Sequence, residues 1–161
     1  MKHKLTAALA ALAAIAVAMV IAAPAGAAGN AGSTQVETFD PTGATFTCTT
    51  GVTYTVTGGI VRSIFHFSGD ASGGGHVTGT IAPTGVTLTD GTTNTVYHLA
   101  GASWFGGNFD SSGNFVATDT AHFNILGPSG GPVGKVSTVE HMSSGGSNFS
   151  FDFGQCQPPS D

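Results

Sequence analysis

Histidines are the residues in this chain of 161 amino acids whose chemistry is most versatile. Histidine serves as a metal ligand and as a proton carrier near neutral pH. A zinc or copper site needs three or four ligands converging at about 2 Å, usually with a close pair along one strand or helix. No His-x-His, His-x-x-x-His or Cys-x-x-Cys spacing occurs, so the sequence predicts no metal site and no cofactor. The histidines beyond the N-terminal segment are His66, His76, His98, His122 and His141.

Asp119 and His122 are the two candidates for general acid–base catalysis. Residue alternation places Asp119 on the apolar face of its strand, where a carboxyl needs hydrogen bonds or a cation such as Arg62, or its pKa rises. We expect the Asp119 carboxyl to lie at a barrel mouth in contact with water, and a buried carboxyl at a functional site is the alternative.

His122 lies either opposite Thr138 and close to Glu140, or beside His141, depending on a one-residue choice of register. No nucleophile elbow or phosphate-binding loop is present in the sequence. We therefore expect a protein that is not an enzyme, with a cyclase or isomerase using Asp119 or His122 as the catalytic alternative.

An apolar face on the same strands is a candidate binding surface for a small molecule. The turn Asp110–Gly113 has the composition of a hairpin loop, and pairing Asp110 with Asn114 sets the register of its two strands. The predicted partners are Phe109 with Phe115, Phe105 with Asp119, and Gly101 with Phe123. A ligand pocket would then be lined by Tyr97, Phe105, Phe115 and Phe123, with Asp119 as its polar group.

The elements that carry these side chains are period-two segments separated by clusters of Gly, Asp, Asn and Ser. This pattern predicts an all-β protein of about eight antiparallel strands, with Gly58-Gly59 as a turn between the first two. The connections are mostly short, which favours an up-and-down meander closed into a barrel; a two-sheet β-sandwich is the alternative. The predicted strands span about 46–56, 60–67, 76–81, 86–88, 93–105, 114–126, 133–142 and 148–153.

Residues 1–27 have the organisation of a secretory signal peptide. Lys2 and Lys4 precede an apolar run from Leu5 to Ala23, and a small-x-small site ends at Ala27. A membrane anchor is the alternative, because the run approaches the roughly 20 residues that span a bilayer. We expect cleavage, secretion, and no stable membrane insertion of the product.

Cleavage leaves 134 of the 161 residues, which is enough for one domain. We expect a flexible leader at 28–43, a single barrel domain at 44–156 and a tail at 157–161. Arg62 and Lys135 would then stand against nine acidic residues, a formal charge of −7. Phosphate backbones and anionic lipids attract clustered Lys and Arg, so this charge excludes nucleic acid as a partner.

The two cysteines of the chain are Cys48 and Cys156. Two cysteines in an exported protein favour one disulfide, which here would join the first strand to the last. Two free buried thiols are the alternative.

The C-terminal part of the chain resembles a group of small exported actinobacterial proteins of uncharacterised function. The Ala-rich N-terminal segment is similar to theirs as well. The residues that carry the resemblance are His122-Phe123-Asn124-Ile125, Gly127-Pro128, Gly130-Gly131-Pro132-Val133-Gly134-Lys135-Val136, Glu140-His141 and Phe151-Asp152-Phe153-Gly154-Gln155-Cys156. The resemblance implies a secreted β-protein and brings no activity or site residues.

The function expected from the sequence is that of a non-enzymatic extracellular or envelope-associated interaction module. A carrier of a small apolar ligand in the barrel interior is the alternative, and the cyclase or isomerase is the third hypothesis. The sequence does not identify a partner beyond these two kinds, an envelope component or a small apolar molecule.

Overall fold

The computed structural model describes residues 32–48 and 51–152, which form one antiparallel sheet. The prediction of an all-β, antiparallel protein is thereby confirmed. No helix long and apolar enough to cross a membrane occurs in these two ranges. The strands are β1 (Ser33–Phe39), β2 (Thr45–Thr47), β3 (Thr53–Gly69), β4 (Gly75–Asp90), β5 (Val96–Phe109), β6 (Phe115–Leu126), β7 (Pro132–Ser143) and β8 (Gly146–Asp152).

Strands β3 to β8 pair in chain order, whereas β1 and β2 share the remaining edge of β3. β1 pairs with residues 61–67 of β3 and β2 pairs with residues 53–55, so the sheet has seven strand positions. Within the described ranges β8 pairs with neither β1 nor β2. The predicted closed barrel is therefore wrong, because β1 and β2 cover the edge of β3 that closure would offer to β8. The alternative sandwich is not found either, since all strands belong to one sheet.

The structure differs from the sequence interpretation at the predicted leader. Residues 33–39 form β1, paired from Ser33 opposite Phe67 to Phe39 opposite Val61. Side chains of β1 alternate between exposed and half-buried positions, as expected for a strand with one covered face. The paired region therefore begins well before the predicted domain start at residue 44.

Two boundaries that the sequence predicts between strands lie inside long strands of the structure, at points where the pairing is irregular. The sequence predicts a turn at Gly58-Gly59, but β3 continues through it with irregular pairing to β4. Gly59 has φ +96°, and a Cβ there would lie 2.4 Å from the Cα of Val86. Only glycine allows this close approach of two backbones, so the pair marks a β-bulge. The second irregularity lies between Ile81 and Thr87, in the pairing of β4 with β5. β4 continues through it, so the two strands predicted at 76–81 and 86–88 are one strand.

Four of the turns between the described strands share one feature, an aspartate at the first position. Each carboxylate accepts the backbone N–H two residues later, at 2.7–2.9 Å. Hydrogen bonds from turn side chains and then from backbone N–H groups lower the pKa of Asp40, Asp70 and Asp110. The pKa of Asp90 is lowered chiefly by the backbone N–H of Thr92.

Buried side chains lie on one face of the sheet, which we call the inner face; the opposite one is the outer face. Two apolar clusters cover the inner face, one around Tyr54 and Leu88 and the other around Phe65 and Phe105. Ile81 packs against both clusters and joins them. Burying each large apolar side chain contributes about 1.5–3 kcal/mol, so this face stabilises the fold.

Cys48 is buried in the cluster around Tyr54. Its predicted partner, Cys156, lies outside the described residues, as do the predicted signal peptide at 1–27 and the tail at 157–161. The disulfide between Cys48 and Cys156 therefore stays a prediction.

Candidate functional site

The inner face lines a partly open cavity of about 80 Å³ beside the apolar cluster around Tyr54. A single water needs roughly 10–15 Å³, so the cavity has room for a small organic molecule. The sheet curls enough for β2 and β7 to line the same space. The polar side chains of its wall belong to Thr45, Ser103 and Asp119. The larger apolar side chains of the wall are Phe46, Val56, Val61, Ile81, Pro83, Leu99, Phe123 and Val136.

Asp119 forms the polar end of the cavity together with Ser103. The Asp119 side chain is 8% exposed, and the hydroxyl of Ser103 donates a hydrogen bond to its Oδ1. Burial raises the pKa of Asp119, and the hydrogen bonds from Ser103 and from the backbone of Thr120 oppose this rise only in part. Asp119 is therefore buried on the inner face, and the expected position at a barrel mouth in contact with water is not found.

Glu140 lies directly opposite Asp119 in the pairing of β6 with β7. It is 6% exposed and belongs to the inner face. Burial, followed by the negative charge of Asp119, raises the pKa of Glu140. Within the described residues no hydrogen bond reaches the Glu140 carboxyl. Two adjacent carboxyls with restricted access to water resist simultaneous ionisation.

Basic side chains are confined to the outer face. Arg62 and Lys135 are exposed there, so Arg62 is not the partner of Asp119. The five histidines are exposed on the outer face as well. Beyond position 4 the sequence contains no other lysine or arginine, so the inner face of the described sheet holds acids without a cation.

His122 lies opposite Ser137, a register that matches neither of the two predicted arrangements. Its Nδ1 is 3.0 Å from the Ser137 Oγ, and its ring centroid is 6.2 Å from that of Trp104. Glu140 faces the other side of the sheet, so it does not orient His122. A molecule in the cavity would meet Asp119 and not His122.

Three other histidines make the same kind of cross-strand contact. The Nδ1 atom lies 2.9 Å from a side-chain oxygen in each pair: His66 with Thr34, His76 with Asn108, and His141 with Thr118. These contacts tie neighbouring strands together across the outer face. No cluster of three or more His, Cys, Asp or Glu that could hold a metal ion occurs in the described ranges.

The predicted hairpin register is confirmed, with Phe109 opposite Phe115, Phe105 opposite Asp119 and Gly101 opposite Phe123. The predicted pocket residues nevertheless separate in space. Asp119 and Phe123 line the cavity. The others pack in the apolar clusters: Tyr97 lies edge-on to Tyr54, Phe105 lies edge-on to Phe65, and Phe115 packs against the cluster that contains Phe105.

Two buried polar neighbours of Asp119, Ser103 in the cavity wall and Glu140 outside it, are absent from the site predicted from the sequence. Ser103 was within reach of sequence reasoning, because it alternates with Phe105 on the face predicted to be apolar. Glu140 was not, because the loop between β6 and β7 left the register open by one residue.

Comparison with known proteins gives no relative. No protein family, no curated protein and no solved structure matches this chain significantly. The resemblance to small exported actinobacterial proteins stays a prediction, and a function must be inferred from the geometry of the inner face.

Proposed function

We propose that the protein is a secreted binding protein that holds one small, mainly apolar molecule in the inner cavity. The observation that carries this proposal is an apolar cavity of about 80 Å³ with a buried carboxyl and hydroxyl at one end. Ligand sites typically combine apolar walls with a few polar groups that fix orientation. Of the functions expected from the sequence, the ligand carrier is the one this geometry favours.

The energetic scale of such binding follows from the volume of the cavity. Unfilled space in a protein core costs about 24 cal/mol per Å³, which for this cavity amounts to roughly 2 kcal/mol. A ligand of matching shape recovers this packing energy and adds a hydrogen bond at Asp119 or Ser103.

Toluene is a suitable first probe because it is a small and wholly apolar molecule. We expect toluene to raise the Tm of the mature protein, because a ligand that binds only the folded state stabilises it by RT ln(1 + [L]/Kd). The variant Ala121→Leu fills the cavity from its wall and should abolish the shift, and Ala121→Val is a milder version. Ala102→Leu makes the same change on the outer face and should keep the shift. An unchanged Tm of the wild-type protein in saturating toluene contradicts the proposal.

Export and a disulfide are parts of the same proposal. The basic start, apolar run and small-residue site of residues 1–27 support export, and the burial of Cys48 supports a bridge to Cys156. Mass spectrometry of the protein from culture medium should give the mass of residues 28–161 minus two hydrogens. A mass that retains residues 1–27, or both thiol hydrogens, contradicts this part. Extra mass lost on denaturation would identify the natural ligand.

An interaction module is the second candidate, and a row of apolar side chains on the outer face favours it. Trp104 is 51% exposed, and Val36 and Val139 are exposed in the same row of paired residues. Large apolar side chains grouped on a surface are typical of interaction sites. Trp104→Thr should lower the fraction of protein retained by the cell envelope, whereas Val96→Thr, outside this row, should not. Equal retention of both variants and the wild-type protein contradicts this candidate.

A further inference from the structure

We infer that the ligand of the cavity is an apolar amine, a molecule with a hydrocarbon body and one protonated nitrogen. This inference rests on the proposed function, and it adds the charge of the ligand to the shape of the site.

Charge is distributed unevenly between the two faces of the sheet. Asp119 and Glu140 are buried on the inner face, and Glu37 of β1 is half-buried on the same face, opposite Ser63. The exposed Arg62, Lys135 and the five histidines of the described residues point away from them. Buried carboxyls in proteins are normally paired with a cation, because removing an unpaired charge from water is costly. A cationic ligand would supply the charge that this face lacks.

The polar end of the cavity offers its oxygens at one place. The carboxyl of Asp119 and the hydroxyl of Ser103 share one wall. A protonated amine in the cavity can donate a charge-assisted hydrogen bond to the Asp119 carboxylate, whose Oδ1 already accepts the Ser103 hydroxyl. Glu140, directly across from Asp119, is a second carboxyl on the inner face but outside the cavity wall. An anionic ligand would meet the Asp119 carboxylate without a compensating cation.

The wall of the cavity favours an organic cation over a metal ion. A bound Ca²⁺ takes six to eight oxygen ligands, and Mg²⁺ demands nearly ideal octahedral coordination. The rest of the cavity wall is almost entirely apolar, and no group of three or more candidate metal ligands occurs in the described ranges. An amine needs few polar contacts and places its hydrocarbon body against Phe123 and Val136.

The test uses three probes of similar shape and different charge: benzylamine, benzyl alcohol and benzoate. Isothermal titration of the mature, oxidised protein at pH 7 should show benzylamine binding at least tenfold more tightly than benzyl alcohol, and no binding of benzoate. Asp119→Asn should weaken benzylamine about tenfold and leave benzyl alcohol nearly unchanged. Asp70→Asn makes the same substitution in an exposed turn and should bind like the wild-type protein. Ser103→Ala is a second variant that removes an acceptor without altering charge.

Several outcomes overturn the inference and leave the binding function intact. One is benzyl alcohol or benzoate binding as tightly as benzylamine; another is benzylamine affinity unchanged in both Asp119→Asn and Ser103→Ala. If benzylamine binds Ala121→Leu as tightly as the wild-type protein, the amine binds outside the cavity, and this result also overturns the inference. If toluene fails to bind as well, the proposed function itself is contradicted.

Discussion

Two groups of carboxyls in this protein respond to pH in opposite directions. The turn aspartates have a lowered pKa because turn side chains and backbone N–H groups donate to them. Asp119 and Glu140 have a raised pKa because burial disfavours their charged forms. The difference indicates that the charged turn carboxylates stabilise the folded state. Ionisation of Asp119 and Glu140 instead destabilises the folded state, and a bound ligand can offset this effect.

Replacing Glu140 with glutamine should stabilise the unliganded protein at high pH. An acid whose folded pKa is raised binds its proton more tightly in the folded state, so stability falls as pH rises from the ordinary Glu value towards the folded one. Glu140→Gln removes this penalty while keeping the size of the side chain. We expect its Tm to exceed that of the wild-type protein by on the order of 3 °C at pH 8, the scale of roughly 1 kcal/mol in a domain of this size. The gain should vanish at pH 4.

Glu37→Gln is the matched control, since Glu37 is the other glutamate of the chain and is more accessible on β1. Its Tm should change less between pH 4 and pH 8 than that of Glu140→Gln. A lower Tm of Glu140→Gln at pH 8 would show that the Glu140 carboxylate stabilises the fold, contrary to the cost inferred from its burial.

At the scale of elements, the composition of a turn determines whether the sequence predicts the register of the two strands that it joins. The Asp110–Gly113 turn specifies its loop length, so the pairing of β5 with β6 and the position of Asp119 opposite Phe105 follow from the sequence alone. The burial of Asp119 does not follow, because it depends on how the sheet curls. The loop after β6 has several glycines and prolines that fit more than one register, so the position of Glu140 does not follow. Gly58-Gly59 has the composition of a turn, yet close contact with β4 makes it a bulge.

Gly101 in β5 should resist substitution. It has φ +131°, and a Cβ there would lie 2.1 Å from the carbonyl oxygen of His122. We expect Gly101→Ala to lower the free energy of unfolding by about 2–3 kcal/mol, because the backbone must shift on both strands. Urea unfolding of the purified variant measures this change.

Gly106→Ala is the matched control in the same strand, where a Cβ would meet no atom within 4 Å. Its free energy of unfolding should stay within about 0.5 kcal/mol of the wild-type value. Equal stability of the two variants would contradict the close approach of β5 and β6 at Gly101.

At the scale of the whole molecule, one curled sheet must enclose its own core. The inner face carries both apolar clusters, and the cavity lies where side chains from β2 to β7 converge without filling the space. The sequence predicts which face is apolar, because alternation is local. It does not predict the cavity, because the cavity depends on how far the sheet curls. It also does not predict that the sheet is not closed into a barrel, because that depends on β1 pairing with the edge of β3.

The position of a bound apolar molecule decides whether the inner cavity is a binding site. Nuclear Overhauser effects between toluene and the methyl groups of the mature protein report that position. We expect contacts with Val61, Ile81 and Val136 in the cavity wall and none with Val36 or Val139 on the outer face. Contacts confined to the outer-face valines, or no contacts at saturating toluene, would contradict a binding function of the inner cavity.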